Sequence, residues 1–154
     1  MDLGELLDPG AISARLNASS KRQALSIVAD IAARQLDIKP AEILAKLMQR
    51  ERLGSTGVGH GVALPHARLK GLDRMHGVFV RLKSPIEFQS VDDQPVDLIF
   101  ALLAPLDHPA EHLRTLAKVS RVMRQTDLRQ QLRKAHGIDA IRALMVQDRR
   151  GAAA

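Results

Sequence analysis

The residues 54–66, Gly54-Ser55-Thr56-Gly57-Val58-Gly59-His60-Gly61-Val62-Ala63-Leu64-Pro65-His66, hold the densest potential chemistry in the chain. Four glycines between Gly54 and Gly61 leave the backbone free to turn N–H groups toward an anion, and Ser55 and Thr56 add hydroxyl donors. The run is not a P-loop, because no Gly-Lys-Ser/Thr follows. It is not a dinucleotide fingerprint either, because Val62 stands where the last glycine is needed. His66 closes the run behind Pro65, which fixes its own φ, offers no N–H and pushes Leu64 toward extended backbone. An imidazole held at a stiff strand end beside such a loop can attack phosphorus, since it is neutral near the working pH and needs no base. Phosphoryl transfer also asks for in-line positioning and for cations around the equatorial oxygens. Arg50, Arg52 and Arg68 can supply those from the flanks.

The other polar residues carry weaker signals. His108 and His112 are four apart, a spacing that suits zinc on a helix, but Pro109 places His108 at or before the helix start and no H-E-x-x-H pattern is present. No metal site and no cofactor are expected. His76 and His136 read as exposed turn or helix-end residues. Asp97 heads an apolar run and reads as a structural hydrogen-bond partner rather than an acid or base. If 60–66 runs as a regular strand, His60 and His66 project to the same face, which makes His60 a possible auxiliary of the site.

These side chains need elements to position them. Ile12–Leu16 alternates as a short strand, and Ser19 or Ser20 can cap a helix through about Leu36. Pro40 suits the first turn of a second helix reaching about Arg52. Val62–Arg68 and Gly77–Lys83 read as strands. Val96–Ala104 is apolar enough to be a central strand buried on both faces. Pro109 opens a third helix, and two shorter helices are expected near Asp127–Ala135 and Asp139–Gln147. The expected fold class is α/β: a single-domain layered sandwich, with a mixed central β-sheet flanked by helices on both faces. That domain should occupy 8–148, with 149–154 as a flexible tail.

Composition narrows the function classes. The chain has 154 residues, enough for one core without disulfides or metal. No cysteine is present, which removes thiolate catalysis, iron–sulfur clusters and cysteine–zinc sites. Trp and Tyr are absent, and Phe79, Phe88 and Phe100 are too few to build base-stacking platforms. The start shows no signal-peptide pattern, and no apolar stretch is long enough to span a membrane, so a cytoplasmic protein is expected. The net charge of +6 is uneven: residues 105–154 hold 10 basic and 5 acidic side chains. That excess lies mostly on predicted helices and reads as a solvated face that steers acidic protein partners, not as a nucleic-acid footprint.

The run 54–66 resembles the active-site signature of type-2 IIA domains of the bacterial phosphoenolpyruvate phosphotransferase system. Val78-Phe79-Val80, the segment Asp92-Asp93-Gln94-Pro95-Val96-Asp97 through Pro105, and His112-Leu113-Arg114-Thr115-Leu116 match in order and at similar spacing. The resemblance covers nearly the whole chain and is strongest to the nitrogen-regulatory branch, in which the IIA domain stands alone. It implies a phosphotransferase in which His66 becomes a tele-phosphohistidine, accepting phosphate from a phosphorylated HPr-like carrier protein (NPr). It implies that His112 is the second active-site histidine, that Arg50 approaches the phosphate, and that Thr56 and Ser55 lie in the phosphate-binding loop. His60 stands where relatives often carry Asn. The implied role is regulation of nitrogen- and potassium-linked processes through target proteins such as potassium-transport or sensor proteins. The alternatives are a fructose/mannitol-type IIA that passes phosphate to a IIB domain, and a regulatory module that binds partners without being phosphorylated.

Overall fold

The computed structural model describes residues 2–146; the expected tail at 149–154 lies outside them. A short helix α1 (Leu3–Leu6) precedes strand β1 (Ile12–Leu16). Helix α2 (Lys21–Gln35) starts where the sequence predicts, because the Ser20 hydroxyl accepts from the Gln23 N–H and satisfies a free helix-end donor. Helix α3 (Pro40–Glu51) carries its proline in the first turn, where a missing N–H costs nothing. Then come β2 (Gly57–Gly59), β3 (Val62–Ala63), β4 (His66–Leu69), β5 (His76–Ile86) and β6 (Val96–Pro105). Helices α4 (Pro109–Met123), α5 (Thr126–Lys134) and α6 (Ile138–Val146) complete the described chain.

The strands form one mixed sheet in the order β1-β5-β6-β3-β2, with β4 also paired to β6. β6 is the centre: β5 runs antiparallel along one side, while β3 and then β4 run parallel along the other. Successive β6 side chains feed opposite faces, as a strand covered on both sides requires. Leu98, Phe100, Leu102 and Ala104 join the core under α1, α4, α5 and α6, and Ile99, Ala101 and Leu103 join the core under α2 and α3. The layered sandwich expected from the sequence is the architecture found.

Three local expectations change. The single strand Val62–Arg68 is broken at Leu64-Pro65: the Leu64 N–H donates to the Thr56 carbonyl, and Pro65 has no N–H to continue the ladder. The chain resumes as β4, with His66 opposite Leu102 of β6. Residues 60–66 are therefore not a regular strand. His60 sits at φ +59°, in the turn between β2 and β3. The glycine run is itself folded, with Gly57–Gly59 pairing antiparallel to β3. Gly57 is required by close approach, since a Cβ there would meet the Ser90 backbone at 3.0 Å.

Candidate functional site

Among the described strands, β4 pairs with β6 alone. Ala67 and Leu69 are buried in the core under α2 and α3, which turns His66 and Arg68 to the opposite face. The C-terminal turn of α3 and the N-terminal turn of α4 both reach this edge. They bring Arg50, His66, Arg68 and His112 around one cleft of about 610 Å3.

His66 is part-buried and its ring is held at both nitrogens. Nδ1 lies 2.9 Å from the Leu64 carbonyl, and Nε2 accepts from the Arg50 Nε–H at 3.1 Å. A carbonyl can only accept, so the neutral ring carries its proton on Nδ1 and leaves the Nε2 lone pair facing the cleft side where Arg50 approaches. The Leu64 carbonyl is available for this because Pro65 follows it and breaks the strand. Arg50 is fixed in turn by Nη1, which donates to the Gly54 carbonyl at 2.9 Å. Burial lowers the His66 pKa, the Leu64 carbonyl opposes that, the Arg50 cation lowers it again and Glu51 pulls it back up. The ring is therefore neutral at neutral pH.

His112 packs edge-on to His66, with ring centroids 5.5 Å apart at 72°. It lies in the first turns of α4, whose Pro109, His112 and Leu113 line the cleft. His112 is 8% exposed, and its Nε2 is buried with no hydrogen-bond partner among the described residues. Burial first, then His66 and the Arg68 cation, hold its pKa down at about 4. A buried ring nitrogen without a partner is costly.

Not every residue singled out in the sequence joins this cluster. Neither Ser55 nor Thr56 lines the cleft. The Ser55 hydroxyl donates to the Phe88 carbonyl at 2.7 Å and accepts from the Gly57 N–H at 3.0 Å. Thr56 is buried, and both its N–H and its hydroxyl donate to the Glu51 carboxylate. The His60 N–H goes to Asp92 at 2.9 Å and its carbonyl accepts from Arg133. Both hydroxyls of the run and the N–H groups of Gly54, Thr56, Gly57 and His60 are therefore bonded within the protein. His60 also sits too far along the sheet to be an auxiliary: its neighbour Gly61 bonds Asp97, five residues before Leu102, so about 16 Å of strand separates it from the His66 register. His76 is another correction. It is buried and lies 3.4 Å from Asp8, brought there by a contact that local sequence does not encode. His136 is exposed as expected, and Asp97 makes the expected structural pairing, with Arg133 at 3.0 Å. His108 is exposed at the α4 N-cap, and Arg52 is exposed outside the cleft lining.

The structure adds residues that the sequence reading passed over. Lys46 sits one helical turn before Arg50 and lines the same cleft, a spacing that was legible. Leu53, Leu106 and Leu113 also line it, and they are 82%, 50% and 68% exposed. An apolar rim around a cationic centre is the surface character of a protein-docking site.

The family described as phosphoenolpyruvate-dependent sugar phosphotransferase system, EIIA 2 matches residues 5–147. A nitrogen regulatory protein of Bradyrhizobium diazoefficiens is 42% identical over 145 residues, covering 94% of this chain and 95% of that one. The crystal structure of nitrogen regulatory protein IIA-Ntr from Neisseria meningitidis superposes with a TM-score of 0.88 at 34% identity, covering 92% of this chain and 97% of that one. The crystal structure of IIA mannitol from Escherichia coli, at 18% identity and a TM-score of 0.76 over 90% and 97% of the two chains, shares the fold. The edge-strand histidine, its arginine and the whole-length match lead to one conclusion: the chain belongs to the EIIA type-2 family of the phosphotransferase system, on its nitrogen-regulatory side.

Proposed function

We propose that the protein takes a phosphoryl group onto Nε2 of His66 from the phosphohistidine of an HPr-like carrier (NPr), and that this modification changes which regulatory target proteins it binds. One observation carries the reading most: both His66 nitrogens are already assigned, Nδ1–H to the Leu64 carbonyl and the Nε2 lone pair toward Arg50. That leaves one nitrogen able to attack, without a base.

The Nε2 lone pair forms the new P–N bond in line as the bond to the carrier's imidazole breaks, and the released electron pair stays on that ring. The His66 ring becomes cationic while it holds phosphate, and the Leu64 carbonyl stabilises it through Nδ1–H. Arg50 moves its hydrogen bond from Nε2 to a phosphoryl oxygen, with Lys46 and Arg68 adding positive charge nearby. Neutral His112, packed edge-on to the His66 ring at the cleft, is the second active-site histidine of this reading. The rim of Leu53, Leu106 and Leu113 seats the carrier.

The nitrogen regulatory relatives, matched along most of their length, favour a regulator of nitrogen-linked processes over a sugar-transporter component, and potassium-linked targets belong to the proposal alone. The test is direct: incubate the protein with phosphoenolpyruvate, the first enzyme of the system and the carrier, and look for acid-labile phosphate. Label on the wild type and none on His66→Ala is the expected result. No label on the wild type, or equal label on His66→Ala, overturns the reading.

A further inference from the structure

Glu51, the last residue of α3, is a carboxylate with only 4% of its side chain exposed. Three donors converge on it: Lys21 Nζ at 3.0 Å, the Thr56 N–H at 3.2 Å and the Thr56 hydroxyl. A carboxylate this buried is tolerated only when it is paired and fully hydrogen-bonded. The three bonds join the first residue of α2, the end of α3 and the turn that leads into β2. A second tie runs parallel, because Lys21 Nζ lies 4.7 Å over the Phe88 ring and the Phe88 carbonyl accepts from Ser55.

What the brace encloses is the turn 52–55. Its Gly54 carbonyl is the acceptor for Arg50 Nη1, and the same guanidinium meets His66 Nε2. Without the Thr56 tie the turn can relax, the Gly54 carbonyl moves, and Arg50 loses the anchor that sets its angle to the ring. We propose that Glu51 is a positioning residue for phosphoryl acceptance, acting through Thr56 and Gly54 to hold Arg50 against His66. This rests on the acceptor reading above and assigns Thr56, whose hydroxyl is spent on Glu51, to the brace rather than to the phosphate.

Thr56→Val keeps the shape and removes one donor. At saturating carrier its rate of phosphate acceptance falls by about tenfold to a hundredfold, the scale of a misplaced catalytic contact, while the carrier concentration for half-maximal rate stays the same. Glu51→Gln gives a loss of similar size. The double variant is no slower than the worse single one, because both changes cut one connection. Thr56→Ser restores the rate. In the unphosphorylated protein, the NMR titration of His66 moves to higher pH in Thr56→Val as the Arg50 cation withdraws. A change that only loosened packing would leave that titration in place. Wild-type rate and wild-type titration in Thr56→Val, or losses that multiply in the double variant, overturn the proposal. If Thr56→Val does not fold, Thr56→Ala is read by the same criteria. A wild type that accepts no phosphate sinks the acceptor reading, and the titration alone then decides the brace.

Discussion

The Nε–H of Arg50 donates to Nε2 of His66 at 3.1 Å, so the cation rests on the very ring nitrogen that would receive phosphorus. In the resting state this contact holds the lone pair in place, and burial first, with the Arg50 cation adding to it, keeps the ring's pKa below the ordinary value. During transfer the same cation is already within reach of the oxygens that gather negative charge. One arginine thus serves both states with little reorganisation.

Arg50→Lys keeps the charge and loses the fork that reaches His66 and the Gly54 carbonyl together. The expected result is a rate of phosphate acceptance lower by about a hundredfold, the usual scale for removing one preorganised donor. Thermal unfolding should change little, because the side chain lies at the surface of the cleft. Rapid-quench phosphorylation beside a melting curve checks both.

His112 makes the protein acid-sensitive. Its folded pKa of about 4 lies below the ordinary 6.5, so the unfolded chain takes up a proton first as pH falls. Stability contributed by keeping this ring neutral is present above about 6.5 and lost progressively toward pH 4. His66 is shifted in the same direction and adds to the loss. Denaturant unfolding at pH 7 and pH 5 should show a smaller drop for His112→Leu than for the wild type. An equal drop counts against the buried neutral ring.

His60→Asn should leave the pH profile of phosphohistidine hydrolysis unchanged, since His60 lies at the other end of the β3–β4 side of the sheet. Asn adopts the left-handed φ of +59° readily, so folding stability is expected to hold or rise slightly. A shifted hydrolysis profile would place this side chain nearer the site than its backbone allows.

Much of this was legible in the sequence, for identifiable reasons. Helix starts at Ser20 and Pro40 follow local capping rules, and the Val96–Pro105 strand announces itself by unbroken apolarity. His66 stood out because Pro65 and the glycine run are local features. The roles of Ser55 and Thr56 were not legible, because donor type is visible in sequence but the acceptors, Phe88 and Glu51, are set by packing. Glu51 itself carried no signal as a helix-end acid. His76 was misread because its partner Asp8 is supplied by the distant N-terminal segment. Helix α1, at four residues, is too short for periodicity to reveal.

Leu113 is 68% exposed on α4, one residue past His112. Leu113→Asp should fold normally and raise the carrier concentration needed for half-maximal phosphorylation about tenfold, leaving the saturated rate nearly unchanged. A fall in the saturated rate alone would remove this rim from carrier docking.

The mechanism turns on which nitrogen takes the phosphate. Phosphorylated protein labelled with 15N, read by the coupling of ring nitrogens to phosphorus, should show the bond at Nε2 of His66, with Nδ1 still protonated against the Leu64 carbonyl. Phosphate on Nδ1 of His66, on His112, or on no histidine would contradict it.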